Sequence, residues 1–544
     1  MPSFNLFQLL FGGRNINGSE RSELIFGSFG NDKIAGNGGN DLMFGFFGND
    51  KMFGGAGDDV VFGGSGKDIV EGGDGEDDLF GGRGNDVVVG NKGNDRMFGG
   101  HGRDLLVWNN GDGSDLMDGG RGYDRVQVNF NTDLVNDDLQ NKDVAEFSTT
   151  DQGVQFARVE LNDQAVNGLF QLDIRNTEVL ETNFGGGDDT ARIVADVLDK
   201  IKLDLDGGDG IDTLDLAQAA AGIAVDLAAG IVGGSKAVNF ENVIGTEFDD
   251  VIEGDEQDNV ISGLGGVDSI FGKGGDDTLV ANKGNDFVFG GYGDDLIVWN
   301  NGDGSDLFNG GEGDDTVQVN FDTDLVNDDL QNKDVAEFST TDEGVQFARI
   351  ELNDQAVNGL FQLDIRNTET LETNFGDGDD AAVIVGDVLD QIAMDLDGGE
   401  GIDTLDLSQA DPGVNVDLAA GTVGASTAVG FENIIGTTGN EFLTGDDQDN
   451  VIRGGGGVDV AVGGEGADTF LFAEGDDSIT LILDFEVGVD RIAFETTNPA
   501  VTAEALVDEL TQIGDDVELV VGNNTVTFED AVTTDFNAFD FLVA

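Results

Sequence analysis

One period constrains this chain more than any other feature. Residues 26–106 read as nine consecutive nonapeptides without insertion, and Asp recurs at Asp32, Asp41, Asp50, Asp59, Asp68, Asp77, Asp86, Asp95 and Asp104. Two residues after each Asp stands an apolar side chain: Ile34, Met43, Met52, Val61, Val70, Leu79, Val88, Met97 and Leu106. A glycine-rich linker keeps no fixed apolar position, so the register argues against one. Glycines at the first and fourth places of G-x-x-G-x-D admit positive φ and a tight turn with inward carbonyls. The x-D-x-U run that follows makes a short strand whose apolar residue faces the interior.

Two nonapeptides make one coil, so stacked loops are expected to bring Asp carboxylates and backbone carbonyls onto shared points. An all-oxygen set of that kind suits a hard cation taking about 6 to 8 ligands, calcium rather than magnesium. The pattern G-G-x-G-x-D-x-U-x, clearest at 54–61 and 63–70, resembles the repeats-in-toxin (RTX) calcium-binding nonapeptide. That resemblance implies an all-β fold, a right-handed parallel β-roll or β-helix solenoid of stacked coils, with Ca2+ at multiple sites.

After Leu106 the period slips by two residues in the run VWNNGDGSD, placing Asp115 eleven residues after Asp104, and returns to nine at Asp124; a bulged coil is expected. The ladder reappears at Asp250, Asp268, Asp277, Asp286 and Asp295, with Asn259 in the missing place, and Asp306 and Asp315 repeat the slip and return. A third, shorter block carries Glu441 and Asn450 at ladder positions before Asp459 and Asp468. These aspartates, with the nine of the first block, are the expected metal ligands. Asn259, Glu441 and Asn450 put individual sites in doubt without threatening the roll.

The second organising feature is a duplication: residues 128–184 return at 319–375 with four changes in 57 positions. Alternating stretches such as GVQFARVEL and LFQLDI predict strands, and TDLVNDDLQNKDVAEF predicts a short helix or loop. Each copy reads as a β-rich insert that continues the solenoid with wider coils. Two like copies suit bivalent presentation of one binding surface, or record a recent duplication. The expected organisation is a cap at 1–25, roll blocks at 26–126, 207–317 and 398–472, inserts at 127–206 and 318–397, and a C-terminal cap with secretion signal at 473–544.

Composition narrows the partners. Asp and Glu number 110 against 25 Lys and Arg, a net charge of −85. Nucleic acid and anionic lipid are excluded as direct partners, because binding them relies on basic side chains neutralising phosphate. The same charge opposes compaction until cations neutralise it, so the chain is expected to be unfolded without calcium and folded with it. Cysteine is absent, which argues against a disulfide scaffold. The start has an apolar run, with Phe4, Leu6, Phe7, Leu9, Leu10 and Phe11, but no preceding basic residue, so it predicts a cap on the first coil rather than a Sec leader. No membrane span is expected.

From Ala467 the chain resembles the C-terminal region of type I secreted RTX proteins such as the serralysins, with ADTFLF and ILDFEVGVDRIAF. Residues 501–510 predict a helix, and 517–529 a hairpin turned at Asn523 and Asn524. The end, Asp540, Phe541, Leu542, Val543, Ala544, is similar to an uncleaved type I signal. The resemblance implies export by type I machinery and an extracellular or cell-surface location.

Phe26, Phe44, Phe62, Phe80 and Phe98 are spaced by 18, one full coil, and are expected to stack on one sheet facing outward; Phe271 and Phe289 repeat the spacing. An outward apolar row marks a contact surface, unless the N-terminal segment covers it or the stacked rings simply stabilise the sheet.

Catalysis finds little support. His101 is the only histidine and occupies a variable loop place, so neither an H-E-x-x-H zinc site nor a Ser/His/Asp triad is available. The expected function is that of a secreted calcium-binding protein with a structural or adhesive role in a surface layer, matrix or attachment, by self-association or by contact with cell-surface polysaccharide. The alternative is a calcium-dependent polysaccharide-modifying enzyme (lyase, epimerase or hydrolase) working through Lys142, Arg158 and Arg175, repeated as Lys333, Arg349 and Arg366.

Overall fold

The computed structural model describes residues 12–109, 111–129, 143–149, 155–161, 170–300, 302–321, 333–340, 346–353 and 361–543. The chain forms two compact units, Met1–Gly272 and Lys273–Ala544. Each is a parallel β-solenoid.

In the first unit the nonapeptide period becomes two rows of stacked strands. One row pairs Lys33–Gly38 with Lys51–Ala56, Ile69–Asp74 and Val87–Lys92, each in parallel with the strand 18 residues on. The other runs from Leu24–Phe26 through Leu42–Phe47, Val60–Ser65 and Asp78–Gly84 to Arg96–Gly102. Successive side chains alternate in direction, so the apolar residue two places after each Asp falls on the inner face. All nine expected core residues, Ile34 through Leu106, are fully buried. The strand ladder already starts at Asn15–Asn17, paired with Lys33–Ala35. The six apolar residues of the expected cap lie outside the described residues.

The two-residue slip does not disturb the stack. Leu105–Asn109 pairs with Arg125–Asn129 in register, the Trp108 ring is buried, and its Nε1–H donates to the Gly113 carbonyl at 2.8 Å.

The insert of this unit enlarges one row only. Leu116–Gly122 pairs in parallel with Phe170–Arg175, which runs antiparallel to Gln155–Leu161, itself antiparallel to Asp143–Thr149. Asp143–Thr149 then resumes parallel pairing with Thr190–Ala195. The opposite row passes directly from Arg125–Asn129 to Val179–Asn183 to Lys202–Asp206. The expected wide coil is therefore a three-stranded antiparallel excursion. Residues 143–147, expected as helix or loop, are strand, with Ala145 and Phe147 buried on the inner face while Val144 and Glu146 face outward; 132–142 lie outside the described residues. Val197–Lys200 is a single helical turn.

The second unit repeats this plan. Leu307–Glu312, Phe361–Arg366, Gln346–Asn353, Lys333–Thr340 and Ala381–Gly386 pair in that order. Near its end Thr502 caps the helix Ala503–Glu509 by accepting from the Ala505 N–H, as expected from 501–510. The hairpin of Asp516–Val521 and Asn524–Phe528 pairs Val521 with Asn524. Its turn is thus Gly522–Asn523 rather than Asn523–Asn524, with Gly522 supplying φ 64° at the first turn position. Phe541–Val543 closes a row against Ile492–Phe494. Among the described residues no helix is long and apolar enough to cross a membrane.

Candidate metal centres

Each centre begins at the end of a loop, where the chain turns into a strand and the ladder Asp is carried into the roll. The ladder aspartates are almost fully buried, Asp59 at 1% exposure and Asp124 at 0%. A buried carboxylate requires partners for both oxygens. Oδ1 finds one in the neighbouring coil: the N–H of Asp41 donates to Asp59 Oδ1 at 2.7 Å, Asp50 to Asp68 at 2.8 Å and Asp59 to Asp77 at 2.7 Å. The same link continues to Asp86, Asp95, Asp104, Asp115 and Asp124, so the slip leaves the ladder unbroken. It also joins Asp250 to Asp268, and in the second unit Asp277 to Asp295, Asp286 to Asp306 and Asp295 to Asp315. Asp459 and Asp468 accept from Glu441 and Asn450 in the same way.

Oδ2 is the chemically open atom. In Asp41, Asp50, Asp59, Asp68, Asp77, Asp86, Asp95, Asp104, Asp115 and Asp124 it is buried and accepts no hydrogen bond; Asp295, Asp306, Asp315, Asp459 and Asp468 repeat this in the second unit. It faces a backbone carbonyl of the next coil across a space that only glycine leaves open. A Cβ built on Gly45 would lie 2.5 Å from both Asp50 Oδ2 and the Gly63 carbonyl oxygen, and one on Gly99 would lie 2.7 Å from the Gly119 carbonyl and 2.8 Å from Asp104 Oδ2. A carboxylate oxygen and a carbonyl oxygen aimed into one small space repel each other unless a cation lies between them. The residues present therefore fit calcium, which takes carboxylate and carbonyl oxygens in flexible geometry.

Among the described residues no three acidic side chains gather at one point. Each of these ladder carboxylates spends Oδ1 on the backbone of the adjacent coil and keeps Oδ2 open beside a carbonyl.

Electrostatics agree. Burial pushes Asp50, Asp59 and Asp68 up to about 6, and Asp77, Asp95 and Asp115 up to about 7, with nearby carboxylates adding to the rise. Asp306 rises to about 8, again chiefly through burial. Carboxylates so placed resist ionising until a cation offsets the cost.

Two expected ligands differ from the rest. Asp32 accepts at both oxygens, from the N–H of Arg14 at 2.6 Å and that of Ser28 at 2.5 Å. Asp250 likewise accepts from the N–H groups of Ile223 and Thr246, each at 2.6 Å. Asn259 turns its amide round, Nδ2 donating to the Glu241 carbonyl at 2.9 Å, and Asn450 does the same to Glu432 at 3.0 Å. Glu441 holds Oε1 with the Thr437 hydroxyl and the Gly413 N–H and keeps Oε2 buried without a hydrogen bond.

The structure adds ladder members not expected from the strict period. The N–H of Asp189 donates to Asp212 Oδ1 and that of Asp380 to Asp403 Oδ1, both at 2.7 Å. Both pairs are 23 residues apart. The signal was present in the runs GGDGID and GGEGID, but the inserted helical turn lengthens the coil. Of the insert cations, Arg175 is paired with Asp173 and Arg366 with Asp364; Lys142 and the side chains of Arg158, Lys333 and Arg349 lie outside the described residues.

The Phe row is stacked as expected. Ring centroids of Phe44, Phe62, Phe80 and Phe98 follow one another at 5.0, 4.6 and 4.9 Å with nearly parallel planes. The row opens at Phe26, 48% exposed, beside exposed Phe29, Phe46 and Phe47.

The sequence profile of the RTX calcium-binding nonapeptide repeat matches residues 17–51, 44–79, 71–106, 111–133, 244–279, 271–298, 300–327 and 435–470. No curated protein matches the chain. Among solved structures, the extracellular lipase LipA from Serratia marcescens is similar at 19% identity and a TM-score of 0.21, over 54% of this chain and 40% of the lipase. The chain thus spans less than half of that protein's length. With repeat, register and oxygen-lined spaces in agreement, this chain carries RTX calcium-binding nonapeptide repeats and binds calcium at multiple sites.

Proposed function

We propose that this is a protein exported by type I machinery, extended at low calcium and folded by calcium outside the cell, where it serves as a structural or adhesive component of a surface layer, matrix or attachment. The observation that carries the reading is the run of buried Oδ2 atoms without hydrogen bonds from Asp41 to Asp124, in a chain of net charge −85. Such a core closes only when cations enter it. Millimolar extracellular calcium suits modules of about 10⁻⁴ to 10⁻³ M affinity. The ladder aspartates that keep Oδ2 open act as ligands in this reading, and the serralysin-like tail acts as the export signal.

The adhesive part rests on the exposed Phe26, Phe29, Phe46 and Phe47, a cluster of the kind that marks a contact surface. Light scattering of the calcium-loaded chain tests it: large ordered assemblies support self-association, and a monomer at every concentration removes it. The second reading, a polysaccharide-active enzyme, draws on Arg175 and Arg366, held in like pairs by Asp173 and Asp364. Arg175→Ala with Arg366→Ala decides it: loss of sugar turnover with calcium-driven folding intact favours the enzyme.

A further inference from the structure

The carboxylates that accept two backbone N–H groups and those that keep Oδ2 open differ in hand at the residue four positions earlier. The residue two positions earlier does not decide, since Gly488 before Asp490 is left-handed at φ 87° just as Gly57 is before Asp59. Before Asp41, Asp50, Asp59 and Asp68 that residue is left-handed: Asn37 at φ 78°, Phe46 at 75°, Gly55 at 121° and Gly64 at 112°. Before Asp32 and Asp250 it is Ser28 and Thr246, neither of them left-handed, and each aims its N–H at Oδ2. Asp490 repeats the second arrangement, accepting at Oδ2 from the Glu486 N–H at 2.7 Å.

An N–H aimed at Oδ2 occupies one of its lone pairs and sets a partial positive charge where a cation would sit. A left-handed residue turns its peptide away and leaves Oδ2 facing only oxygens. Asn259 and Asn450 show the limiting case. Asp255 and Asp446, four residues earlier, donate to their Oδ1, and their own Nδ2 donates to a carbonyl of the preceding coil, so those coils close without an ion.

We propose that the backbone hand of the residue four places before each ladder aspartate selects which aspartates hold calcium, so that Asp212 and Asp403 hold it and Asp32 and Asp250 do not. This rests on the calcium reading above. Asp212 and Asp403 lie outside the residues matched by the repeat profile, are fully buried, and keep Oδ2 without a hydrogen bond. The residues four places earlier are Gly208 at φ 101° and Gly399 at φ 91°. A Cβ built on Gly207 would lie 2.6 Å from Asp212 Oδ2 and close to the Asn239 carbonyl; one on Gly398 would lie 3.0 Å from Asp403 Oδ2 and close to the Gly430 carbonyl. The oxygen-lined space of the regular ladder is thus rebuilt in the coil that follows each insert. A like space stands beside Asp32 and Asp250, where a Cβ on Gly27 or Gly245 would lie 2.7 Å from Oδ2, so the hand of the residue four places earlier and not the space separates the two groups.

The test is calcium stoichiometry of the full chain by equilibrium dialysis at saturating calcium, with far-UV circular dichroism on the same samples. Asp→Asn is the chosen change because Asn259 and Asn450 already occupy ladder places. Asp212→Asn and Asp403→Asn are expected to bind about one calcium fewer per chain each, as is Asp59→Asn, with strand content kept. Asp32→Asn and Asp250→Asn are expected to bind as many as the unaltered chain. A lost ion in Asp32→Asn, or none lost in Asp212→Asn while Asp59→Asn loses one, overturns the selection rule alone. No calcium bound by the unaltered chain overturns the calcium reading and this inference with it.

Discussion

The N–H of Asp50 donates to Oδ1 of Asp68, one coil further on, at 2.8 Å, while Asp68 Oδ2 is buried and accepts no hydrogen bond. One carboxylate therefore does two jobs, holding the next coil in register and presenting an oxygen to a cation. The link repeats from coil to coil, so one side chain serves both stacking and binding at each step of the ladder.

Separating the two jobs is a matter of side-chain choice. Asp59→Asn keeps an acceptor for the Asp41 N–H, whereas Asp59→Ala leaves that N–H buried and unpaired. The alanine variant is expected to be less stable than the asparagine one by about 1 to 3 kcal/mol. Urea unfolding of both at saturating calcium checks this, and equal midpoints would deny the Oδ1 link its role.

Gly45→Ala tests the oxygen-lined space directly. Gly45 is not left-handed, so alanine suits its φ, but the Cβ would sit 2.5 Å from Asp50 Oδ2 and the Gly63 carbonyl, and that carbonyl must move to admit it. The expected result is a lower calcium stoichiometry and a higher calcium midpoint for folding. Unchanged binding would show that the ion sits elsewhere.

The raised carboxyl groups give the metal-free chain a pH dependence. Asp77, Asp95 and Asp115 titrate near 7 when folded, held up chiefly by burial, against an ordinary value near 3.9 when unfolded. The folded chain thus binds more protons between those values, and its stability falls as pH rises through that window. In chelator, strand signal is expected to be greater at pH 5 than at pH 8. More strand at pH 8 than at pH 5, both without calcium, would reverse the sign.

The aromatic row separates stability from contact. Phe62 stacks between Phe44 and Phe80 at 5.0 and 4.6 Å, so Phe62→Ala is expected to cost roughly 1 to 3 kcal/mol for its two ring pairs. Phe29 and Phe47 stand exposed at the row's open end, and Phe29→Ser with Phe47→Ser is expected to weaken assembly while sparing the calcium midpoint. Light scattering and calcium titration of the same variants read the two effects apart.

The nonapeptide period made most of this visible in advance, because it dictates both the Asp position and the buried residue two places on; Met43, Met52 and Leu79 fell where alternation puts them. Strand direction in the inserts was not legible, since alternation in QFARVEL marks a strand without saying which neighbour it pairs. Asp212 and Asp403 escaped the ladder because Val197–Lys200 and Val388–Gln391 stretch their coils to 23 residues. The hand of the residue before each site was hidden most deeply. Phe46 and Lys273 are left-handed although L side chains resist it, while Ser28 and Thr246 are not, and residue type alone does not announce the difference.

Far-UV circular dichroism of the chelated full chain at pH 8, titrated with calcium, tests the central claim most directly. The account predicts little strand in chelator and a steep gain at about 10⁻⁴ to 10⁻³ M calcium. Full strand signal in chelator, or none gained at millimolar calcium, would contradict it.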